Sequence, residues 1–326
     1  MKRRNVLLGL GAVGASCIGF PVFAQAQRTF PAPGTTIKYV VPFAAGGLTD
    51  IMARVVGQKL AEEFKVTVIV ENRGGGNAQT GADYVAKGIA DGTQILAITQ
   101  SHSVNVALFP NAPFSLAKDL RPVAYLADSP MLVVVPANSP IKDFKELMAV
   151  TKTRALNGGS AGSGSAPHLT QELFNDLNGS KIVHVAYKGG APSMTDLVGG
   201  HLDVSFSNYP QSLSFVKAGK LRALAICSTT RHPDLPNVPT ARESGMPDLV
   251  VENWTAVMAP AKTPDAVVER YSQAFLKIMA MPDMVESLKL KGFRVNAKGS
   301  EEFGRYLKTE IDRWGRVVKA ADIKPE

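Results

Sequence analysis

The sequence predicts an α/β protein built as two lobes of similar architecture. Strand-like and helix-like segments alternate from residue 37 onward, the alternation recurs after residue 131, and each half carries a loop of small residues between a strand and a helix. The length of 326 residues suits two domains of ordinary size. A composition of 45% hydrophobic and 20% charged residues excludes a disordered chain, a coiled coil and a polytopic membrane protein.

The first half is expected to form a β-α-β-α-β unit, the order typical of a parallel sheet. Apolar, β-branched runs predict buried strands, and the amphipathic segments between them predict helices. The strands are expected at residues 37–43, 66–70 and 94–99. One helix is expected to begin at Thr49, as its N-cap, and the next to span residues 78–87.

The second half repeats this architecture without visible sequence repetition. Strands are expected at residues 131–136, 182–187, 202–207, 221–227 and 250–258. Helices are expected at 142–150, from Pro167 onward, and at 264–279, 284–291 and 301–320.

Residues 1–26 have the three parts of a secretory signal peptide. Lys2, Arg3 and Arg4 form the basic region, an apolar stretch follows, and Ala24-Gln25-Ala26 supplies the small-x-small cleavage pattern. Cleavage after Ala24 fits as well, and the sequence leaves general secretion and twin-arginine export open. We therefore expect an exported, periplasmic chain.

Removal of the signal peptide changes the charge and the cysteine count. The formal net charge falls from +8 to +5, and Cys17 leaves, so Cys227 has no partner for a disulfide. Cys227 lies in an apolar run and is expected to be a buried small side chain. The remaining basic residues do not cluster, which argues against nucleic-acid binding.

Two loops of small residues, 44–47 and 158–165, each follow a predicted strand and precede a predicted helix. In open α/β sheets, ligands bind outside the carboxyl ends of the strands, where helix N-termini present unpaired N–H groups and a partial positive charge. Glycines let the backbone approach an anion closely, and serine hydroxyls add donors. Together the loops predict a carboxylate held between the lobes.

Other chemistries find less support. No nucleotide-binding glycine motif is present, and the scattered histidines lack metal-ligand spacing, so we expect neither a cofactor nor a metal. Residues 158–162 match G-x-S-x-G, which would make Ser160 a hydrolase nucleophile with a histidine as base. The required late histidine is missing beyond His232, so a serine hydrolase remains an alternative only.

Several ordered motifs resemble the Bug family, the TctC-like substrate-binding proteins of tripartite tricarboxylate transporters. The matching segments cover nearly the whole mature chain: VVPFAAGGLTD at 40–50, VENRGGG at 70–76, ADGT at 90–93, GGSAGSGS at 158–165 with His168-Leu169, VAYKG at 185–189, LPNVPT at 235–240 and APAKTP at 259–264. Gly74 replaces the usual proline of the second motif, and Ser207-Asn208 stands where the family often has an aspartate.

This resemblance implies a type II periplasmic binding protein of the Venus-flytrap kind, in which two strands form a hinge and the ligand lies in the cleft. Each lobe is expected to be a mainly parallel sheet flanked by helices. Lobe one would comprise residues 27–130 and 251–326 and lobe two residues 131–250, with the hinge strands at 131–136 and 250–258.

The same resemblance assigns the candidate ligand-binding residues. From lobe one they are Phe43, Ala45, Gly46, Gly47, Thr99, Gln100 and Asn105, and from lobe two Ser163, Gly164, Ser165 and Asn208. Asp50 is expected to hold backbone N–H groups rather than ligand, and Tyr187 fits either pocket lining or packing.

The expected function is that of a monomeric, non-enzymatic receptor that binds a small carboxylate and delivers it to the permease subunits of a membrane transporter. A ligand-binding sensor for a signalling partner is the alternative within the same fold. The neutral asparagine at 208 favours a plain carboxylate over an amino acid, because no charge meets an ammonium group there.

Overall fold

The protein alternates strands and helices along nearly its whole length, as seen in a computed structural model that describes residues 30–320 and residue 324. The predicted signal peptide therefore lies outside the described residues. The strands are β1 (Thr36–Val41), β2 (Thr67–Asn72), β3 (Gln94–Thr99), β4 (Leu120–Pro136), β5 (Leu156–Ser160), β6 (Ile182–Ala186), β7 (Ser205–Asn208), β8 (Leu221–Ile226), β9 (Glu252–Pro260) and β10 (Arg294–Lys298). The helices are α1 (Leu48–Phe64), α2 (Gln79–Ala86), α3 (Gln100–Leu108), α4 (Phe144–Val150), α5 (Ala166–Asn178), α6 (Gly190–Val198), α7 (Tyr209–Lys217), α8 (Asp265–Met279), α9 (Pro282–Leu290) and α10 (Ser300–Ala320).

The sheets are mixed, whereas the sequence predicted mainly parallel ones. β1 pairs in parallel with β2 and β3, and β5 pairs in parallel with β6. β9 pairs antiparallel with β3 and β4, and β4 also pairs antiparallel with β10, β7 and β8. The antiparallel pairings arise because β4 carries the chain out of one half of the molecule and β9 carries it back in the opposite direction.

The buried apolar residues form separate clusters in the two halves. One pair of clusters surrounds β1, β3 and β9 and draws on residues 37–127 and 254–307, and the other surrounds β7 and β8 and draws on residues 131–249. We call these halves the first and second lobes. The predicted domain limits at 130/131 and 250/251 stay predictions.

β4 is one continuous strand of 17 residues that belongs to both lobes. Its first part pairs with β9 as far as Pro130 opposite Glu252, and its second part pairs with β7 and β8. At the crossing, Met131 N–H donates to the carbonyl of Val251 at 3.2 Å. The two chain crossings are thus hydrogen-bonded neighbours, the arrangement on which the hinge prediction depends.

The structure differs from the sequence-based prediction in the segment after β3. No helix was predicted after β3, but residues 100–108, which include His102 and Asn105, form α3. Thr99 is the N-cap, its Oγ1 accepts from Ser101 N–H at 3.3 Å, and the His102 ring accepts from Thr99 N–H at 3.1 Å. This reciprocal capping box explains why a segment of weak apolar periodicity is helical.

Smaller corrections concern one other helix start, the end of one strand and several missed elements. Gly47, not Thr49, is the N-cap of α1, and Gly158–Ser160, expected in the second loop, complete strand β5. The sequence did not predict α6, α7, β10 or the first part of β4. Within the described residues, no helix is long and apolar enough to cross a membrane.

Candidate functional site

Five helices begin at one small cavity between the lobes. Its volume of about 20 Å³ is the space of about one water molecule, so a larger ligand can enter only when the lobes move apart. α1 and α3 reach it from the first lobe, and α5, α6 and α7 from the second. The lining residues are Phe43, Gly47, Leu48, Thr49, Thr99, Ser101, Ala161, Ser165, Pro167, Gly190, Asn208, Gln211 and Asn253.

The cavity is polarised by backbone rather than by charged side chains. Of the lining residues that the structure describes, none is charged. Each helix N-terminus contributes unpaired N–H groups and the positive end of its dipole, and these effects add because the five ends converge. Such an environment favours an anion that accepts several hydrogen bonds at once.

The loop before α1 is held by a carboxylate behind it. Asp50, in the first turn of α1, accepts from Gly46 N–H at 2.9 Å, from Arg54 at 2.9 Å and from Asn72 Nδ2 at 2.9 Å. Asn72 also donates to the carbonyl of Phe43 at 3.1 Å. Asp50 is therefore a structural partner of N–H groups, as predicted, and it shapes the loop that presents Phe43 and Gly47.

The protonation of Asp50 follows from the same contacts. Burial alone would raise the pKa of this carboxyl, but the hydrogen bonds from Arg54, Gly46 and Asn72 outweigh it and leave the pKa below its ordinary value. Asp50 is thus ionised at neutral pH, and its charge is matched by Arg54 outside the cavity.

The loop before α5 is held by a hydroxyl and two imidazole rings instead. Ser160 Oγ accepts from Gly162 N–H at 3.0 Å and lies 2.5 Å from His184 Nε2. Gly164 N–H donates to His168 Nδ1 at 2.9 Å, and the His168 and His184 rings stack with centroids 3.7 Å apart. Together the hydroxyl and the imidazole pair fix the loop that presents Ala161 and Ser165.

Burial strongly perturbs His102, the imidazole that caps α3. Desolvation lowers its pKa to about 4, against an ordinary value of 6.5. The ring is therefore neutral at pH 7, which its role as acceptor for Thr99 N–H requires. Its edge-on contact with Phe43, at 6.1 Å between ring centroids, links this cap to the cavity wall.

Two side chains at the cavity keep a polar atom unpaired. Ser165, the N-cap of α5, is 3% exposed, and its Oγ has no hydrogen-bond partner in the described part of the chain. Asn253 on β9 donates from Nδ2 to Asn208 Oδ1 at 2.8 Å, and its own Oδ1 is likewise without a described partner. Buried polar atoms usually have a partner, so these two are available to a ligand or to an ordered water.

Five of the eleven predicted ligand-binding residues line this cavity: Phe43, Gly47, Thr99, Ser165 and Asn208. The other six lie around it. Ala45 and Gly46 are exposed on the outer side of the first loop, and Gln100, Ser163 and Gly164 are in neighbouring turns. Asn105 faces a separate cavity of about 410 Å³ and donates to the carbonyl of Asn77 at 2.7 Å.

The sequence analysis missed several lining residues, notably Gly190, Gln211 and Asn253. Gly190 and Gln211 belong to the first turns of α6 and α7, two helices that were not predicted. Pro210 in the first turn of α7 was an available signal for that helix. Asn253 lies on a strand, and its proximity to Asn208 depends on tertiary structure alone.

The lobes approach each other closely at three glycines of the second lobe. A Cβ atom on Gly162 would lie 2.6 Å from Asn77 Oδ1, one on Gly164 would lie 2.8 Å from Leu108, and one on Gly189 would lie 2.9 Å from Ala44 N. We call these three positions the glycine seam. A small apolar cluster, in which Leu169 of α5 joins residues of α3 and α10, continues this contact.

The described residues contain no group of three or more His, Cys, Asp or Glu side chains that could hold a metal. Cys227 is buried, as expected, and desolvation raises the pKa of its thiol beyond the range of a nucleophile.

Comparison with known proteins decides the family. Residues 52–323 match the model of the tripartite tricarboxylate transporter family receptor, TctC. The chain belongs to this family. The receptor is 33% identical to the protein BugT of Bordetella pertussis over 332 residues, which covers 99% of each chain.

Solved structures agree with this assignment. The receptor matches an R. palustris protein solved with adipate at 31% identity and a TM-score of 0.86, covering 90% of this chain and 99% of the other. It also matches MatC from Rhodopseudomonas palustris, solved with malate, at 30% identity and a TM-score of 0.81, covering 88% and 100%. The predicted periplasmic-binding-protein fold is confirmed.

Membership of this family also argues against the serine-hydrolase alternative. The family and the matched structures are solute-binding receptors, not enzymes. In the receptor, Ser160 is buried, and its hydroxyl holds Gly162 in the loop before α5. The match to G-x-S-x-G therefore reflects a glycine- and serine-rich loop rather than a nucleophile.

Proposed function

We propose that this protein is a periplasmic receptor that binds a small carboxylate in the cavity between its lobes and delivers it to a tripartite membrane transporter. The observation that carries the proposal is the convergence of five helix N-termini on one cavity without charged side chains. A carboxylate is the anion of choice because its two oxygens accept several N–H and O–H hydrogen bonds at once.

The contacts come from both lobes, which links binding to closure. Thr99, Ser101 and the start of α1 belong to the first lobe, whereas Ser165, Gly190 and Asn208 belong to the second. A ligand held by both sides stabilises the arrangement in which the lobes meet more than one in which they are apart. This differential affinity drives the population toward the closed form, which the permease would recognise.

The relatives support a carboxylate without naming this ligand. One matched structure contains adipate and another malate, and both are dicarboxylates. The proposed protein is exported to the periplasm and acts as a monomer.

Isothermal titration calorimetry of the purified protein against mono-, di- and tricarboxylates tests the function. We expect at least one carboxylate to bind with 1:1 stoichiometry, and binding to none of them would overturn the proposal. Uptake of the bound carboxylate by cells with and without the gene then tests delivery to a transporter, since a sensor would alter transcription and leave uptake unchanged.

A matched pair of charge variants locates the site. Asn208→Asp places a negative charge among the helix N-termini and is expected to weaken carboxylate binding about 100-fold, because like charges repel strongly in a desolvated cleft. Asn237→Asp makes the same change on an exposed loop and is expected to leave the affinity unchanged. Equal effects of the two variants would place the ligand elsewhere.

A further inference from the structure

The amide pair of Asn208 and Asn253 carries a hydrogen-bonding capacity that a plain carboxylate does not use. Both side chains are 4% exposed and line the cavity, and one hydrogen bond of 2.8 Å joins them. Asn253 Oδ1 then has no described partner. The hydrogen bond between the pair uses the oxygen of Asn208 and not its NH2 group, which is a donor by its chemistry.

This balance does not depend on which way the two amides are turned. If oxygen and nitrogen were exchanged in both side chains, one hydrogen bond would again join them. The oxygen of one residue and the whole NH2 group of the other would again be left outside that hydrogen bond. The pair therefore always offers the cavity an acceptor as well as a donor.

The rest of the cavity is rich in donors. Helix N-termini and the unpaired hydroxyl of Ser165 all suit the oxygens of a carboxylate. An ionised carboxylate has no hydrogen to donate, so it leaves the free amide oxygen of the pair unsatisfied. A ligand that fulfils every group needs a donor close to its carboxylate.

We propose that Asn253 is a specificity-determining residue and that the cavity takes a hydroxycarboxylate, whose hydroxyl group donates to the free amide oxygen of the Asn208–Asn253 pair. The proposal rests on the proposed function. The hydroxyl oxygen can accept from an N–H of the other amide, so a single O–H group can contact both members of the pair. An ammonium group would also donate, but no described lining residue supplies the negative charge that a buried ammonium needs.

Two pairs of ligands isolate the hydroxyl from the number of carboxylates: lactate against propionate, and malate against succinate. Where a pair binds, we expect the hydroxy acid to bind about tenfold more tightly than the plain acid. This is the usual scale for one hydrogen bond to an otherwise unpaired buried group. Alanine and aspartate, which carry an ammonium in the same position, are expected to bind more weakly than lactate and malate.

Two substitutions of Asn253 test its role. Asn253→Leu removes the acceptor at similar volume, and we expect the ratio of hydroxy to plain carboxylate affinity to fall to about one. Asn253→Asp keeps an acceptor and adds a charge, so we expect the preference to move toward alanine and aspartate, a change that mere loss of packing would not produce. Asn237→Leu, on an exposed loop, is the control with an unchanged ratio.

The outcomes separate the inference from the function on which it rests. If hydroxy and plain carboxylates bind the wild type equally, or if Asn253→Leu preserves the ratio, the assignment of Asn253 is overturned while the receptor function stands. Tighter binding of amino acids by the wild type would also overturn it. If no carboxylate of either kind binds, the function and the inference fail together.

Discussion

The loops before α1 and α5 present matching backbone to one cavity, but they are held in place by different chemistry. Behind the first loop, the Asp50 carboxylate gathers Gly46 N–H, Arg54 and Asn72. Behind the second, Ser160 Oγ accepts from Gly162 N–H and His168 Nδ1 accepts from Gly164 N–H. Both arrangements serve loops whose N–H groups must be fixed before an anion arrives.

The difference shows where charge is tolerated in an anion site. Asp50 is negative and close to the cavity, yet Arg54 pairs with it, and its oxygens are occupied by donors on the side away from the lining residues. The second lobe uses a serine hydroxyl and an imidazole as acceptors, and the His168 ring lies 3.7 Å from the Glu172 carboxylate. A charged support is thus compatible with anion binding when a counter-charge pairs with it.

The largest effect should come from removing the charged support. We expect Asp50→Ala to lower the free energy of unfolding by about 3 kcal/mol, because Gly46 N–H and Asn72 Nδ2 lose a buried acceptor while Arg54 keeps its access to water. Urea denaturation measures this. Asp283→Asn, which removes an exposed ion pair with Lys59, is the control and should leave the free energy of unfolding unchanged within the error of the measurement. A cost for Asp50→Ala as small as the control's would show that the network contributes nothing.

The loss of stability in acid should distinguish the contribution of the His102 imidazole from that of the Asp50 carboxylate. The pKa of His102 is about 4 in the folded protein and 6.5 ordinarily, so between these values the unfolded chain binds a proton that the folded one does not. Stability should therefore fall by about 2 kcal/mol from pH 7 to pH 5. Asp50 adds nothing in this window, because its lowered pKa means that its contribution is lost only at still lower pH.

His102→Gln tests the origin of this loss. Glutamine at the same capping-box position can accept from Thr99 N–H but does not titrate, so the variant should lose about 2 kcal/mol less than the wild type over the same pH range. Urea denaturation at pH 7 and pH 5 measures the difference. An unchanged pH profile would assign the acid sensitivity to other groups.

Removing the Ser160 hydroxyl should lower the free energy of unfolding less than removing the Asp50 carboxylate. Ser160→Ala deletes the acceptor of Gly162 N–H, and we expect a loss of about 1.5 kcal/mol in the free energy of unfolding. Ser214→Ala, on the exposed face of α7, should change stability by less than about 0.5 kcal/mol. A loss at Ser160 above that of Asp50→Ala would reverse the comparison.

The smallest effect should come from the exposed end of the charged support. The Arg54 side chain is 54% exposed, but its partner Asp50 is 4% exposed and keeps its other donors, so Arg54→Ala should lower stability by about 1 kcal/mol. The effect should shrink further in 0.5 M NaCl, because screening weakens exposed pairs. Denaturation at low and high salt measures both, and a salt-independent loss would contradict the surface assignment.

The sequence was most informative where a local pattern determines the local structure. β3 spans Gln94–Thr99 as predicted, because a short apolar run bounded by polar turns is typical of a buried strand. The glycine-rich motifs located both loops of the cavity. They did not show which residues turn inward: Gly47 lines the cavity, whereas its neighbours Ala45 and Gly46 face solvent.

The rest depended on tertiary contacts that no local pattern encodes. α3 was missed because its cap uses His102 where a capping box usually has glutamate or glutamine. The antiparallel pairings of β4 and β9 follow from the path of the chain between lobes. Asn253 lies 45 residues after Asn208, and only the folded sheet brings their amides together.

The glycine seam has a consequence for making a biosensor from this protein. Contact there leaves no space for even a methyl group at Gly162 or Gly189, so a side chain at either position would act as a wedge between the lobes. A wedge lowers the fraction of molecules able to close, and the apparent dissociation constant rises by at least that factor. Because φ is positive at both glycines, 122° at Gly162 and 146° at Gly189, a side chain also strains the loops before α5 and α6. Both effects shift the working concentration range upward.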